Sequence, residues 1–203
     1  MFEKSSDNRT ELLRKIKDEV VNFKESPLYQ ERIQNRVFPV IGEGNHYAEI
    51  MFVGEAPRRI EAATGRPFAG PAGKILDDLL HDIGIERKDV YITNVVKDRP
   101  PHNRDPFPDE IALYGSFLDR QINIIQPKII VALGRHSMKY LMEKFGLASA
   151  QSISKIRGQL FAVEVPYGKI KFMPTFHPAT VLYNPEARKE LEEDFQTLKK
   201  LIS

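Results

Sequence analysis

The order of apolar runs along the chain is the feature that most constrains its fold. Three strongly apolar runs, at 48–54, 90–96 and 128–134, each precede a helical pattern. The helical patterns cover 72–84, 108–125 and about 135–145. A strand, helix, strand alternation of this kind predicts a parallel sheet with right-handed crossovers.

Three further segments complete the predicted fold. A hairpin over 158–176 should add its second arm to the main sheet, and amphipathic helices are predicted over 8–25 and 185–202. We therefore expect an α/β fold: a three-layer α/β/α sandwich with a central parallel sheet of about four strands. One domain over residues 1–203 is expected, with the N-terminal helix of residues 1–26 packed on it.

Composition narrows the possible functions. The 30 basic and 28 acidic side chains leave a net charge of +2, so any nucleic-acid surface must be local. The chain has no cysteine, which excludes disulfides, thiolate chemistry and sulfur-ligated metal sites. Its five histidines show no metal-ligand spacing, so no metal or other cofactor is expected. No apolar run approaches a membrane span, and a cytoplasmic protein without a membrane partner is predicted.

The unusual residues follow the predicted strands. A loop rich in glycine and proline, Gly54–Gly73, follows the first strand, and Asn94, Gly134 and His177 lie at the ends of the others. Ligands of open parallel sheets bind beyond the carboxyl ends of the strands, so these residues should meet at one site. Rigid backbone amides, the flat ring of Phe68, a carboxamide and an imidazole suit a planar, hydrogen-bonding ligand such as a nucleobase. Phosphate-loop, dinucleotide and nucleophile-elbow motifs are lacking.

Five separated motifs carry a family resemblance. They are "GEAPRRIEAATGRPFAGPAG", "YITNVVKDRPPHNRDPFPDE", "LGRHSMKYL", "SISKIRG" and "FHPATVLYNP". In order and spacing they resemble the motifs of family 4 uracil-DNA glycosylases, over a stretch from about Pro27 to the C-terminus. The resemblance implies excision of uracil from DNA, which leaves an abasic site.

The resemblance also implies roles for individual residues. Gly54, Glu55 and Ala56 belong to the loop whose amides contact uracil, and Phe68 stacks on the base. Asn94 reads the base edge, His177 lies by uracil O2, and Glu61 matches the acidic position that orients the attacking water. Leu182 resembles the wedge that fills the vacated stack. Basic residues near the strand ends are candidate phosphate contacts: Arg58, Lys97, Arg99, Arg104, Arg135, Lys155 and Arg157.

The chain departs from the family pattern at several positions. Family 4 members typically hold a [4Fe–4S] cluster on four cysteines, and the matching positions here are Phe23, Ser26, Asp98 and Tyr114. We expect packing by Phe23 and Tyr114, with a cation beside Asp98, to replace the cluster.

Other departures bear on base choice and on DNA contacts. Arg58 replaces a glycine, Ala62 replaces an acid, and Tyr183 stands where an arginine is common. His102 lies near the position where a related crosslinking subgroup captures the sugar.

Each candidate residue also has a structural interpretation. Asn94 and His177 could serve only in turns, Phe68 and Leu182 could belong to the core, and the carboxylates and basic side chains could form a solvated surface. Three alternative functions follow: a glycosylase for hypoxanthine or xanthine, a catalytically silent DNA-binding homologue, and a protein-interaction subunit. The sequence favours a monomeric, nucleoid-associated uracil-DNA glycosylase without lyase activity, because no lysine is evidently placed as a nucleophile.

Overall fold

A computed structural model describes residues 8–147 and 151–202. Within that range the chain forms one six-stranded sheet with the strand order β1-β3-β2-β4-β6-β5. The strands are β1 (Glu43–Gly44), β2 (Ile50–Gly54), β3 (Tyr91–Asn94), β4 (Ile129–Leu133), β5 (Phe161–Val165) and β6 (Gly168–Thr175). The four central strands, β3, β2, β4 and β6, run parallel, and the two edge strands pair antiparallel. The predicted parallel sheet and its hairpin arm are confirmed.

The helices connect these strands and cover both faces of the sheet. They are α1 (Arg9–Val21), α2 (Leu28–Asn35), α3 (Arg59–Thr64), α4 (Pro71–Asp82), α5 (Pro108–Ile125), α6 (Arg135–Lys144), α7 (Ile153–Ile156) and α8 (Ala187–Ile202). Short 3₁₀ turns occupy Arg87–Asp89, Pro101–Asn103 and Pro178–Leu182. No helix within the described ranges is both long enough and apolar enough to cross a membrane.

Successive side chains of each strand point to opposite faces, and this alternation builds two cores. Met51 and Val53 of β2 pack with α1, α5 and α6, whereas Ile50 and Phe52 pack with α4 and α8. Helix α1 lies in the first core through Leu13, Ile16 and Val20. The result is the expected three-layer α/β/α sandwich, with α1 packed against one face of the sheet. Residues 1–7 of the predicted N-terminal segment lie outside the described residues.

The strand register places the carboxyl ends of neighbouring parallel strands side by side. Gly54 of β2 lies opposite Asn94 of β3, and Leu133 of β4 lies opposite Thr175 of β6. The amide of Gly134 then donates to the Thr175 carbonyl at 2.9 Å. The loops that follow all four parallel strands therefore begin at one edge of the sheet, as the sequence predicted.

Candidate active site at the carboxyl ends of the strands

Gly54 allows two side chains to lie directly against the end of β2. A Cβ atom built on Gly54 would lie 2.3 Å from Asn94 Oδ1 and 2.8 Å from the Phe68 ring. Both side chains are buried. Asn94 and Phe68 are 26 positions apart in sequence, yet their side chains meet over Gly54. Any larger residue at position 54 would push these two side chains apart.

The backbone of Phe68 is held in an unusual conformation. Its φ is 49°, in the left-handed region that non-glycine residues seldom adopt. Gly73 supports this conformation, since a Cβ there would lie 1.7 Å from the Phe68 carbonyl oxygen. The Phe68 ring stacks on the His177 ring with centroids 5.4 Å apart and an interplanar angle of 22°. The glycines of the loop thus fix an aromatic face beside an imidazole.

The contacts of His177 define which of its nitrogens carries a proton. The Ala179 amide donates to Nδ1 at 3.1 Å, so in the neutral ring the proton lies on Nε2. Burial, together with the positive charge of Arg58, lowers the pKa of His177 to about 4. Gly134 gives the ring room, because a Cβ there would lie 3.2 Å from the His177 Cβ. At neutral pH His177 is a neutral donor through Nε2.

This arrangement predicts a pH dependence that NMR can measure. Because the pKa of His177 is lowered to about 4, its ring signals should stay unchanged from pH 8 down to about pH 5. Arg58→Gln removes the nearby positive charge and should raise that pKa. Titration of the wild-type ring near the ordinary histidine pKa of about 6.5 would contradict the prediction. Because the pKa of His177 is lower in the folded than in the unfolded chain, the free energy of unfolding also depends on pH. The stability associated with neutral His177 is present above about pH 6.5 and decreases as the pH falls toward 4.

Glu61 ties together the two ends of its loop. Its Oε1 accepts from the Gly70 amide at 3.0 Å, and its Oε2 accepts from the Arg58 amide at 3.2 Å. The side chain is 8% exposed. Glu61 therefore braces the loop that carries Phe68, and its role in orienting water stays a prediction.

A charged cluster lies beside this loop and includes a residue for which the sequence gave no functional argument. His136 Nε2 lies 3.7 Å from Glu55 Oε2 and 3.3 Å from Asp105 Oδ2. Burial raises the pKa of Glu55, and the nearby His136 opposes that rise. Oxygen and nitrogen atoms of the three side chains lie within 4.8 Å of one another, but Arg135 already pairs with Asp105. The cluster thus joins the Arg135–Asp105 ion pair to His136 and Glu55 at the sheet edge, and the sequence feature that carried it was the strand-end motif "LGRHS".

The loop amides of Glu55 and Ala56 remain predicted uracil contacts. The Glu55 carbonyl accepts from the Val96 amide at 2.9 Å, and the Gly54 carbonyl accepts from the Val95 amide at 3.0 Å. Ala56 packs against the core on the α5 side. These bonds fix the start of the loop to the segment that follows Asn94, so the two parts of the site share one rigid support.

Most of the predicted phosphate contacts have protein partners. Arg58 donates to the Asn103 carbonyl and Arg99 donates to Asn103 Oδ1 at 2.7 Å. Asn103 and the exposed His102 both have positive φ, at 56° and 54°. The two arginines therefore hold a turn that contains two residues in the left-handed region.

Four further basic residues and Leu182 are also predicted DNA contacts. Arg104 pairs with Glu110 at 2.6 Å, and Arg157 pairs with Asp194 at 2.6 Å. Arg135 is well exposed in its pair with Asp105, and Lys155 is exposed. Leu182, the predicted wedge, is about half exposed.

The prediction that Lys97 contacts DNA is wrong. Its side chain is completely buried, and Nζ donates to the Asn94 carbonyl at 2.6 Å, to Gln121 Oε1 at 2.6 Å and to Thr93 Oγ1 at 2.8 Å. Burial lowers its pKa well below the ordinary lysine value. A lysine near a strand end indicated a phosphate contact, but the chain turns it inward, where it supports the backbone of Asn94.

Lys97→Met should be destabilising because it leaves the Asn94 and Gln121 oxygens without their donor. We expect a loss of about 2–5 kcal/mol in the free energy of unfolding, measured by urea denaturation. The matched control is Lys74→Met, which changes an exposed lysine on α4. Equal stabilities of the two variants would contradict the supporting role of Lys97.

Comparison with known proteins assigns this arrangement to a family. A family model described as the uracil DNA glycosylase superfamily matches residues 41–199. The chain belongs to the uracil-DNA glycosylase superfamily. It is 52% identical over 190 residues to a Type-4 uracil-DNA glycosylase of Sulfurisphaera tokodaii, covering 93% of this chain and 84% of that protein.

More distant members of the superfamily also match. A Type-4 uracil-DNA glycosylase of Thermotoga maritima is 43% identical over 196 residues, covering 96% of each chain. A Type-5 uracil-DNA glycosylase of Thermus thermophilus is 34% identical over 124 residues, covering 54% of this chain and 56% of that protein.

This superfamily member brings together the four positions that match the cluster cysteines of family 4. Tyr114 donates to Asp98 Oδ2 at 2.6 Å, and the hydroxyl oxygens of Tyr114 and Ser26 lie 2.7 Å apart. Phe23 packs edge-on against Tyr114 with ring centroids 5.6 Å apart. Buried Arg32, which the sequence did not single out, donates to both Asp98 oxygens at 3.1 and 3.0 Å.

This donor set does not fit an iron–sulfur cluster, since it contains no thiolate. Instead, the Tyr114 hydroxyl bonds with Asp98 and Ser26, its ring packs against Phe23, and Asp98 pairs with Arg32. The structure shows the expected packing of Phe23 and Tyr114 and identifies the cation beside Asp98 as Arg32.

Proposed function

We propose that this chain is a monofunctional uracil-DNA glycosylase that works without an iron–sulfur cluster. It flips uracil out of DNA, hydrolyses the N-glycosidic bond and leaves an abasic site. The observation that carries the proposal is the convergence of Asn94, Phe68 and His177 at one edge of the sheet, with His177 held as a neutral Nε2 donor. The names of the curated relatives support the same reaction.

Asn94 supplies base discrimination. Its carboxamide can donate to uracil O4 and accept from uracil N3–H, whereas cytosine presents the opposite pattern at these atoms. The side chain is 2% exposed and lies against Gly54, so it cannot turn away to satisfy the wrong base. A buried polar group left unpaired by the wrong base makes discrimination large.

His177 stabilises the leaving group. Water adds to C1′ of the sugar as the C1′–N1 bond breaks, and the electron pair of that bond passes to uracil. The added water loses one proton and the uracil anion takes one up, so the products are an abasic sugar and free uracil. Negative charge therefore develops on uracil O2, toward which the Nε2–H of His177 would donate. One such donor contributes on the order of 3–4 kcal/mol in comparable oxyanion sites. The His177 ring is neutral before the reaction, and the negative charge on uracil O2 to which it donates develops only in the transition state.

The other predicted residues complete the reaction. Phe68 offers a fixed face on which the base stacks, and Glu61 belongs to the loop that is proposed to place the water. Lyase chemistry is not part of the proposal, since Lys97, the lysine nearest in sequence to Asn94, is buried and donates to three acceptors. DNA contacts are assigned to Leu182 and to six basic residues: Arg58, Arg135 and Lys155, which are exposed, and Arg99, Arg104 and Arg157, which are partly buried.

Arg58 and Ala62 are the two departures from the family pattern that could change which base is excised. Ala62, which stands where the family resemblance implies an acid, is completely buried in α3 and offers no carboxylate. The guanidinium of Arg58 donates to the Asn103 carbonyl. The arginine therefore has a structural partner on the neighbouring turn, and we assign specificity for uracil to Asn94.

The test uses end-labelled oligonucleotides that carry a single uracil, hypoxanthine or xanthine, followed by alkali cleavage of abasic sites. Alkali-dependent cleavage at uracil alone, absent in Asn94→Ala, supports the proposal. Cleavage at hypoxanthine or xanthine would assign another base, and no cleavage at any base would indicate a silent DNA-binding homologue. A monomeric enzyme at the nucleoid is part of the same proposal, and gel filtration tests the monomer.

A further inference from the structure

The segment after β6 carries an unusually exposed aromatic side chain. Tyr183 is 88% exposed, more than any other large apolar side chain of the described residues. Its hydroxyl has no hydrogen-bond partner within residues 8–147 and 151–202. An aromatic ring ordinarily contributes a large buried area to a core or an interface. The ring of Tyr183 is therefore available to a partner molecule.

The backbone beneath this ring is firmly held. The Thr180 amide donates to the His177 carbonyl at 2.8 Å, and the Asn184 amide donates to the Thr180 carbonyl at 2.8 Å. Pro178 is buried, and Val181 packs against the core on the α4 side. The turn is ordered before any ligand binds, so little conformational entropy is lost when its exposed side chains make contacts.

The position of the ring relates it to the proposed active site. Tyr183 follows His177 by six residues, and a 3₁₀ turn rises about 2.0 Å per residue, so the two backbones lie within about 12 Å. Leu182, the predicted wedge, immediately precedes it and is half exposed. Two adjacent apolar side chains thus project from one rigid turn at the rim of the site.

We propose that Tyr183 stacks on the unpaired base of the opposite DNA strand while Leu182 fills the position that the flipped nucleotide vacates. This inference rests on the proposed function, because it needs a flipped base. When uracil flips out, the base opposite it loses its pairing partner. A contact from the protein can hold that unpaired base in place. Every base has a π face on which an aromatic ring can stack, so the contact does not depend on which base lies opposite uracil.

The first test compares Tyr183→Ala with the matched variant Tyr183→Phe, which keeps the ring and removes the hydroxyl. Single-turnover excision of uracil from duplex DNA should fall about 5- to 100-fold in Tyr183→Ala and remain within about twofold in Tyr183→Phe. On single-stranded DNA, which has no opposite base, Tyr183→Ala should match the wild type. Equal losses on both substrates, an unchanged duplex rate, or an equal loss in Tyr183→Phe would overturn the proposal.

The second test does not depend on catalysis. A duplex carries a stable abasic-site analogue with 2-aminopurine opposite, and the fluorescence of that base reports stacking on an aromatic ring. We expect quenching by the wild type and by Tyr183→Phe, and none by Tyr183→Ala at saturating protein. Equal quenching by Tyr183→Ala would overturn the proposal. If the wild type excises no uracil yet quenches in this way, the stacking proposal stands and the proposed enzymatic function fails.

Discussion

Substituting His177 with alanine is expected to lower the single-turnover rate of uracil excision by about 10²- to 10³-fold. The substitution removes the Nε2–H donor at the developing negative charge, and no other imidazole ring stacks on Phe68 within the described residues. The measurement is excision from a uracil-containing oligonucleotide at saturating enzyme. Asn94→Ala should cause a comparable loss, because it removes the carboxamide that lies over Gly54.

His81→Ala is the matched control for His177→Ala. His81 is 92% exposed on α4, so its removal should leave the rate unchanged. Circular dichroism at the assay temperature shows whether each variant is folded. A folded His177→Ala variant that retains wild-type activity would assign stabilisation of the leaving group to the loop amides alone.

Asp98→Ala is expected to lower the free energy of unfolding by about 3–5 kcal/mol, because it leaves the buried Arg32 guanidinium without its carboxylate. For a chain of this length that loss corresponds to a fall of about 6–20 °C in Tm. Tyr114→Ala should also be strongly destabilising, since it removes a buried ring and leaves Asp98 without the Tyr114 hydroxyl.

A double variant separates the loss of pairing from the loss of volume. Burial raises the pKa of Asp98 and opposes the charge that Arg32 and Tyr114 favour, so the ion pair has a desolvation cost. Arg32→Met combined with Asp98→Leu removes both charges and should be less destabilising than Asp98→Ala alone. If the double variant is the less stable one, or if Asp98→Ala unfolds at the wild-type temperature, the network does not stabilise the fold in this way.

Local patterns predicted the elements that depend on local sequence. Helix α5 begins and ends at the predicted residues, Pro108 and Ile125, because proline is favoured at a first helical position and an apolar stripe runs its full length. The predicted helix over 8–25 ends earlier, at Val21, where Asn22 caps it. Helices α2, α3 and α7 and strand β1 were not predicted, since each is short and draws its stability from tertiary contacts.

For the site, the sequence identified which residues follow the strands but not the direction in which each side chain points. Asn94, Phe68 and His177 meet as predicted because parallel strands end at one edge. Lys97 also follows a strand, yet it turns inward, and Arg32 has a role that no local pattern marked. The direction in which a side chain of an irregular loop points depends on contacts with residues that are distant in sequence. These contacts cannot be read from the local sequence pattern.

By itself, the amino-acid sequence determined the α/β alternation, the resemblance to uracil-DNA glycosylases and the absence of cluster cysteines, because each depends on residue type and spacing along the chain. Only the tertiary structure decided that Phe23, Ser26 and Asp98 meet at Tyr114 while Asp98 pairs with Arg32, and that the Ala179 amide places the proton of neutral His177 on Nε2. Hydrogen-bond geometry and burial exist only once the chain has folded, and these two quantities determine the charge and the donor pattern of the site.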